Sequence, residues 1–453
     1  MKMIIPRLGA LLLAVSLSAC SMVPEYAAPN PALPASYQGP ASMSGADAAS
    51  ATWWTSFKSP ELDTLMTSAL KDNLDIAAAL ARIEQSRGAL RSTRADYYPQ
   101  ADLSGSASRD HSTASGSSRS VGASASLSYA LDPWGLTRAQ SQSASALLDA
   151  SVYDAHATSL LIQSNVASTY FTLLNLKDRL AIAQDSLKAS RDTLNLVQKR
   201  FDAGLDSGLT LAQQRSNIAS IEATIPGLQS SLNSSRTALA ILLGLAPEGF
   251  DVKAKGLGDI VMPQIATGQP SLLLTRRPDI LKAEADLRAA NADIGAARAA
   301  FFPTIDLGAT IGELATFGAA PVTSNGLSAS LLGTIFSAGR LEGNLSASKA
   351  RYQELAANYQ SAVLTSLKDV EDALVDTDAT QRQETAQAMS AEEAFKAYWL
   401  SQESFKAGLS DFLSVLDAQR SWLSARDSAA QAALGKYDAA VTLFVALGGG
   451  WES

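Results

Sequence analysis

The chain has 453 residues, 47% of them hydrophobic and 18% charged, enough to bury a large core and, by ordinary domain sizes, enough for two or three domains. Aromatics are only 6%, so the apolar content is mostly Ala, Leu, Val and Ile, which suits close helix packing better than a bulky core. A net charge of -8 argues against a nucleic-acid partner, two histidines and one cysteine argue against a His/Cys metal site or a disulfide framework, and a mean hydropathy of +0.04 fits either a soluble protein or strands with one lipid face.

Lys2 and Arg7 precede an apolar stretch, Leu8 to Ala19, too short to span a bilayer at ~20 residues per helix, so residues 1–19 read as a signal peptide. The stretch ends Leu17-Ser18-Ala19-Cys20, which resembles the bacterial lipoprotein box. The resemblance makes Cys20 the lipidated first residue of the mature chain, and Ser21 in place of aspartate implies sorting to the outer membrane. Loss of Lys2 and Arg7 takes the charge to about -10, and an acylated terminus anchors without spanning. Residues 20–52 are rich in Pro, Ala and Ser and predict an extended tether.

The rest of the chain is a tandem duplication. Tyr97-Tyr98-Pro99 recurs as Phe301-Phe302-Pro303, Phe201-Asp202-Ala203-Gly204-Leu205 as Phe405-Lys406-Ala407-Gly408-Leu409, and Leu243-Gly244 as Leu447-Gly448, always 204 residues apart. The halves are placed at 53–249 and 271–453, with a linker at 250–270.

Each half runs through the same periodicities. Helical patterns over 62–95 and 278–300 lead to Pro99 and Pro303, after which the period falls to two. Val121, Ala123, Ala125, Leu127, Tyr129 and Leu131 alternate with small polar residues, and Ile305, Leu307, Ala309 and Ile311 repeat the pattern. These predict two β-hairpins, about 100–131 and 304–336, with polar loops about 110–119 and 313–325. Four such strands cannot close a barrel, and an open edge in lipid costs several kcal/mol per unpaired backbone group. Strands in membrane therefore require three copies and twelve strands.

After each hairpin comes a long heptad pattern: Val166, Leu173, Leu180, Leu187, Leu194 and Phe201, returning through Leu211, Ile218, Ile225, Leu232 and Leu239. One helix over about 137–200 is on the order of 95 Å long at ~1.5 Å per residue. Its turn falls at about 202–208, and Pro226-Gly227 predicts a kink in the return helix. The second half turns at about 406–412 and returns through Leu416, Leu423, Ala430, Tyr437 and Phe444.

Trp53-Trp54 with Phe57, Arg276-Arg277-Pro278-Asp279-Ile280, Leu416-Asp417-Ala418-Gln419-Arg420 and the closing Gly448-Gly449-Gly450-Trp451 together resemble the outer-membrane efflux channels typified by TolC, in their OprM/NodT-type lipoprotein branch. The resemblance implies a mixed α/β membrane protein: a homotrimer whose twelve-stranded outer-membrane barrel continues into a periplasmic α-helical coiled-coil barrel. It implies a periplasmic membrane-fusion adaptor and an inner-membrane pump of the resistance-nodulation-division (RND) type as partners, outer-membrane lipid around the barrel, and no cofactor beyond the lipid on Cys20. Carried over by residue, the periplasmic gate falls on Leu413 and Asp417, with Asp417 tied by Arg420 and Lys406 in the closed state. Lys406 departs from the arginine of the OprM pattern and lacks its bidentate geometry. Adaptor-docking tips fall on Gly204, Leu205, Ser207, Gly408, Leu409 and Asp411. Without the resemblance, Leu413 reads as a seam leucine and Asp417–Arg420 as an ordinary i,i+3 pair.

An enzyme is poorly supported. Ser346 and Lys349 have a Ser-x-x-Lys spacing without companion motifs, Gly256-Leu257-Gly258 lacks a phosphate-binding continuation, and His111 and His156 have no convergent partners. A lipid-anchored coiled-coil adaptor also carries a lipobox and helical hairpins, but has no need of two amphipathic β-hairpins in register with a duplication.

Overall fold

The computed structural model describes residues 22–29, 31–40, 46–47, 50–112 and 116–451. Cys20 and the signal peptide at 1–19 lie outside the described residues. In chain order the elements are β1 (Ala46–Asp47), α1 (Pro60–Asp72), α2 (Leu74–Ala95), β2 (Gln100–Ser112), β3 (Gly116–Leu131), α3 (Leu136–Asp202), α4 (Gly208–Leu242), β4 (Ile265–Ala266), α5 (Leu273–Arg276), α6 (Pro278–Ala299), β5 (Thr304–Thr316), β6 (Val322–Leu332), α7 (Arg340–Lys406) and α8 (Phe412–Ala446). Helices α3 and α7 have 67 residues each and α4 and α8 have 35 each, so the duplication holds to the residue in the helical hairpins.

The chain forms two compact units that cut across the duplicated halves: 1–31, 81–153 and 281–362 in one, 32–80, 154–280 and 363–453 in the other. Each half contributes a β-hairpin to the first and most of a helical hairpin to the second.

The first unit holds an antiparallel sheet in the order β2-β3-β5-β6. Its strands are longer than expected and its loops shorter. β2 pairs with β3 as far as Ser112↔Gly116, and β5 with β6 as far as Leu314↔Val322. Polar residues placed in loops are strand residues because backbone pairing continues past the apolar rows; His111 and Ser117, for instance, pair across the ladder with Nδ1 and Oγ 3.0 Å apart. At the other end, β6 stops at Leu332, so Ile335 lies beyond the strand. Residues 22–24 do not hang free. Asn291 Nδ2 donates to the Pro24 carbonyl at 2.8 Å, and a Cβ at Gly295 would lie 2.7 Å from Val23 Cα, so the tether seats against α6. Extended Pro-rich backbone leaves its carbonyls free to accept such bonds.

In the second unit the helix expected over 62–95 is broken at Asn73. Its backbone is extended, its Oδ1 caps the N–H groups of Asp75 and Ile76 (2.8 and 3.1 Å), and its Nδ2 donates to the Leu242 carbonyl at 2.8 Å. Helix α4 runs through Pro226 without interruption. The tether is held here too, with Gln38 N and Gly39 N donating to the two oxygens of Glu371 at 2.8 and 2.9 Å.

An aromatic core of Trp53, Phe57, Phe171, Tyr437 and Phe444 anchors the second unit, and Trp53 stacks on Phe444 at 5.1 Å. Trp53 Nε1 donates to Gln163 Oε1 (3.0 Å), and Gln163 Nε2 donates to the Gly450 carbonyl (2.9 Å). Trp451 stacks on His156 and donates to the Arg276 carbonyl (2.9 Å), while Arg277 reaches Asp279 and Asp369 (2.7 and 3.1 Å). Three of the sequence motifs that stand far apart along the chain, those of Trp53, Arg276–Asp279 and Gly450–Trp451, thus cluster together, while Leu416–Arg420 lies elsewhere, beside Phe405 and Phe412. Burial lowers the His156 pKa, which keeps the imidazole neutral beside Trp451.

Candidate functional site

Two surfaces carry the candidate functional residues, one in each unit. In the sheet, alternation sorts side chains to opposite faces. One face carries in-register rows such as Leu103, Ala125 and Ile311, and Ala101, Leu127, Ala309 and Leu327. Leu103 and Leu327 are 85% and 90% exposed, and with Val121, Leu127, Leu307, Ile311 and Leu331 they spread exposed apolar side chains over this face of all four strands. The opposite face is made of Ser, Thr, Gly and Asp: Ser104 and Ser124 touch at 2.7 Å, and Asp102, Ser126, Thr310 and Gly326 share one row. Ala130, the pair Leu314 and Val322 near the second turn, and Leu332 at the far end of β6 are the apolar residues on that face. β2 and β6 each keep one unpaired edge. Among the described residues no helix is long and apolar enough to cross a membrane.

In the second unit, the two helical tips are built alike. Lys199, Phe201 and Arg200 carbonyls accept the N–H groups of Ala203, Gly204 and Leu205; in the other tip Glu403, Phe405 and Ser404 accept Ala407, Gly408 and Leu409. This is the Schellman arrangement, and it requires a left-handed residue, met by Gly204 (φ 73°) and Gly408 (φ 74°). Ser207 then caps α4 and Asp411 caps α8, accepting Thr210 N at 3.3 Å and Ser414 N at 2.9 Å. The Ser414 hydroxyl and amide hold the Asp411 carboxyl below its ordinary range. Arg200 binds Asp206 at 2.9 Å and lies 4.4 Å over the Phe405 ring, which ties the first tip to the second.

Leu205, Leu209, Leu409 and Leu413 are all exposed at these tips. Leu209 was not singled out from the sequence; it is the duplicate of Leu413, so the repeat carried the signal. Leu413 is not a seam leucine, because the core of the tip takes Phe412, Val415 and Leu416 instead. Asp417, one turn on from Leu413, is exposed and has no hydrogen-bond or ion-pair partner among the described residues. Lys406 pairs with Glu403 at 2.8 Å, and Arg420 Nε donates to Asn217 Oδ1 at 3.4 Å. A single chain therefore does not bring Asp417 together with Lys406 or Arg420.

Beneath this surface lies a buried polar network. Gln419, fully buried, donates to Ser190 Oγ (3.0 Å) and Tyr398 OH (3.4 Å) and accepts from Asn217 Nδ2 (3.2 Å). Gln214 Nε2 donates to the Ser190 carbonyl (2.7 Å), and Gln402 Nε2 donates to Tyr398 OH (2.6 Å). The network joins α3, α4, α7 and α8. Its signal in the sequence was polar side chains three residues beyond seam leucines, Gln214 after Leu211 and Gln419 after Leu416, where a coiled coil normally places apolar ones. An open groove of about 700 Å³ flanks it, lined by Arg420, Asn217, Thr224 and the bidentate pair Arg179–Asp427. No cluster of residues able to hold a metal ion occurs among the described residues.

Comparison with known proteins gives a consistent answer. The family described as outer membrane efflux protein matches twice, at residues 65–245 and 269–449, two stretches again 204 residues apart at both ends. The pyoverdine export outer membrane protein OpmQ of Pseudomonas putida KT2440 is 36% identical over 466 residues, covering 100% of this chain and 99% of that protein. The cation efflux system protein CusC of Escherichia coli O6:H1 is 32% identical, covering 97% of each. Among solved structures, the open state of the Neisseria gonorrhoeae MtrE outer membrane channel superposes with a TM-score of 0.84 at 30% identity, covering 95% of this chain and 98% of that one.

Proposed function

We infer the mechanism from one premise: the chain belongs to the outer membrane efflux protein family and is an outer-membrane channel of an efflux system. The observation that carries the mechanism is the four-stranded sheet, with its apolar face, its polar face and its two open edges. Open edges in hydrocarbon are intolerable, and three copies joined β6 to β2 close twelve strands with the apolar rows toward lipid and the serine face toward a water-filled lumen. The homotrimer is thus a structural requirement of the sheet. The lipid on Cys20 adds a second hold on the outer membrane.

The helical hairpins form the periplasmic part of the conduit. Their tips present Leu205, Leu209 and Leu409 around the glycine turns, an apolar surface suited to the hairpin of a periplasmic adaptor, with Ser207 and Asp411 fixing the turn geometry. An RND-type inner-membrane pump supplies the energy, and the channel itself conducts passively. Leu413 and Asp417 project from α8 away from its packed face, and three copies of this pair at a narrow axis make an apolar ring and an acidic ring. Arg420 and Lys406 then meet Asp417 across subunit boundaries. OpmQ is named for pyoverdine export and CusC for cation efflux. Relatives with such different cargoes on one channel plan support selection of cargo at the pump.

The test is heat-modifiable trimer migration of the membrane fraction with single-channel conductance in a planar bilayer. A non-conducting monomer refutes the reading. Asp417→Ala, alone or with Arg420→Ala, is expected to raise conductance at low and neutral pH alike, and unchanged conductance places the constriction elsewhere. Radiolabelled palmitate incorporation lost in Cys20→Ser tests the anchor. Accumulation of dyes and antibiotics in a deletion strain, with and without each inner-membrane pump, identifies the cargo.

A further inference from the structure

On the apolar face of the sheet the rows give way to charge toward the turns, first at Glu313 of β5, in the row of Gly105 and Ala123, and two rows further on at a pair of arginines. Arg109 of β2 stands directly opposite Arg119 of β3, both exposed, on the same face as Leu103, Val121 and Leu127. Side chains opposite one another in an antiparallel pair have Cβ atoms about 5 Å apart, and like charges there repel. Neither guanidinium has an ion-pair or side-chain hydrogen-bond partner among the described residues, and residues 112–116 contain no acidic side chain. The two arginines sit one register step from His111, whose Nδ1 contacts Ser117 Oγ at 3.0 Å. An uncompensated cationic pair at this place calls for an anion from outside the chain.

Its height on the sheet identifies the anion. From Leu131, the first apolar residue of this face at the helix end of β3, to Arg119 the strand advances about 40 Å at ~3.4 Å per residue. At a tilt of ~40° that is roughly 30 Å of height, close to the ~25 Å apolar band of outer-membrane strands. Phe317 follows Arg119 in the same row, its N–H donating to the Arg119 carbonyl at 2.9 Å, and the residue is 75% exposed, as an interfacial aromatic should be. The pair therefore lies at headgroup level, at the end of the sheet away from the helices.

We propose that Arg109 and Arg119 form a binding site for the phosphate of a phosphorylated glycolipid, lipid A, in the outer leaflet of the outer membrane. This rests on the reading of the apolar face as the lipid face. Two planar guanidiniums side by side match the oxygens of a phosphate monoester in a way that two ammonium groups do not. One site per chain gives three around the closed barrel. The bound phosphate removes the repulsion between the arginines and fixes the height of the barrel in the asymmetric membrane.

The test is native mass spectrometry of the purified trimer incubated with hexa-acylated lipid A, with enzymatically dephosphorylated lipid A and with phosphatidylglycerol. Wild type is expected to retain up to three molecules of phosphorylated lipid A, and Arg109→Gln with Arg119→Gln to reduce retention at least tenfold. Arg109→Lys with Arg119→Lys is expected to fall between the two and keeps the question open to measurement if the glutamine variant assembles poorly. Arg91→Gln with Arg94→Gln, the same charge change on α2, is the control and is expected to retain lipid A as wild type does. Equal retention by wild type and the glutamine variant, retention of dephosphorylated lipid A as strongly as the phosphorylated form, or equal retention of phosphatidylglycerol overturns the proposal. Conductance of the same wild-type preparation tests the lipid-face reading separately: without conductance that reading fails, whereas a conducting wild type that ignores lipid A overturns the site alone.

Discussion

Replacing Gln419 by leucine tests whether the buried network holds the start of α8, where the proposed gate residues stand. The amide is fully buried and bridges Ser190, Tyr398 and Asn217, so leucine removes three contacts while keeping much of the volume. Asn217 Nδ2 loses its acceptor and Ser190 Oγ loses a donor, at about 1–3 kcal/mol for each buried group left unsatisfied. Added burial of leucine carbon offsets about 1 kcal/mol of that. The net is about 3 kcal/mol against the packed tip, roughly a hundredfold in a local opening equilibrium. Hydrogen exchange on the assembled trimer is expected to show amides of 412–420 losing protection by about that factor, with those of 53–57 unchanged, and single-channel records are expected to show more frequent spontaneous opening. Protection of 412–420 within threefold of wild type, with an unaltered opening frequency, refutes the claim that this network restrains α8.

Four further substitutions probe the rest of the second unit. Gly244→Ala places a Cβ 2.2 Å from the Asp72 carbonyl oxygen at φ 70°, and Gly448→Ala meets the duplicate carbonyl, Arg276, at 2.8 Å with φ 78°. Each is expected to cost on the order of 3 kcal/mol or more and lower the temperature at which trimers dissociate on gels, with Gly244 the worse. Trp53→Ala empties the aromatic core and orphans Gln163 Oε1, at about 3–5 kcal/mol, read as a loss of trimer yield and thermal resistance. Asp438 has its pKa raised by burial, opposed by a hydrogen bond from Ser168, and its Oδ1 has no partner. A raised folded-state pKa means the charged form is penalised: the penalty is absent below the unfolded carboxylate range and complete above the folded value. Asp438→Asn is therefore expected to raise melting temperature at pH 7 and to lose that advantage as pH falls through the carboxylate range.

Much of the plan was legible because it is periodic or repeated. The 204-residue offset, the change from heptads to alternation after Pro99 and Pro303, and the glycine turns at Gly204 and Gly408 are local patterns imposed by helix and strand geometry, and they suffice to place hairpins, tips and a sheet with two unlike faces. Strand ends were misjudged because backbone pairing extends ladders through serines that composition assigns to loops. The helix break at Asn73 was missed because its amide is satisfied by a carbonyl from Leu242, far along the chain.

The proposed gate residues divide along the same line. Spacing alone put Leu413 and Asp417 on one face of a helix; that this face is exposed, while Phe412, Val415 and Leu416 fill the core, is decided by where α8 meets α3 and α7. Likewise the composition of β2 and β3 contains two arginines, but only the register sets Arg109 opposite Arg119. Period and repetition are properties of the chain, so the sequence determined architecture and symmetry. Pairing between residues hundreds of positions apart depends on which surfaces meet, and that was left to tertiary structure.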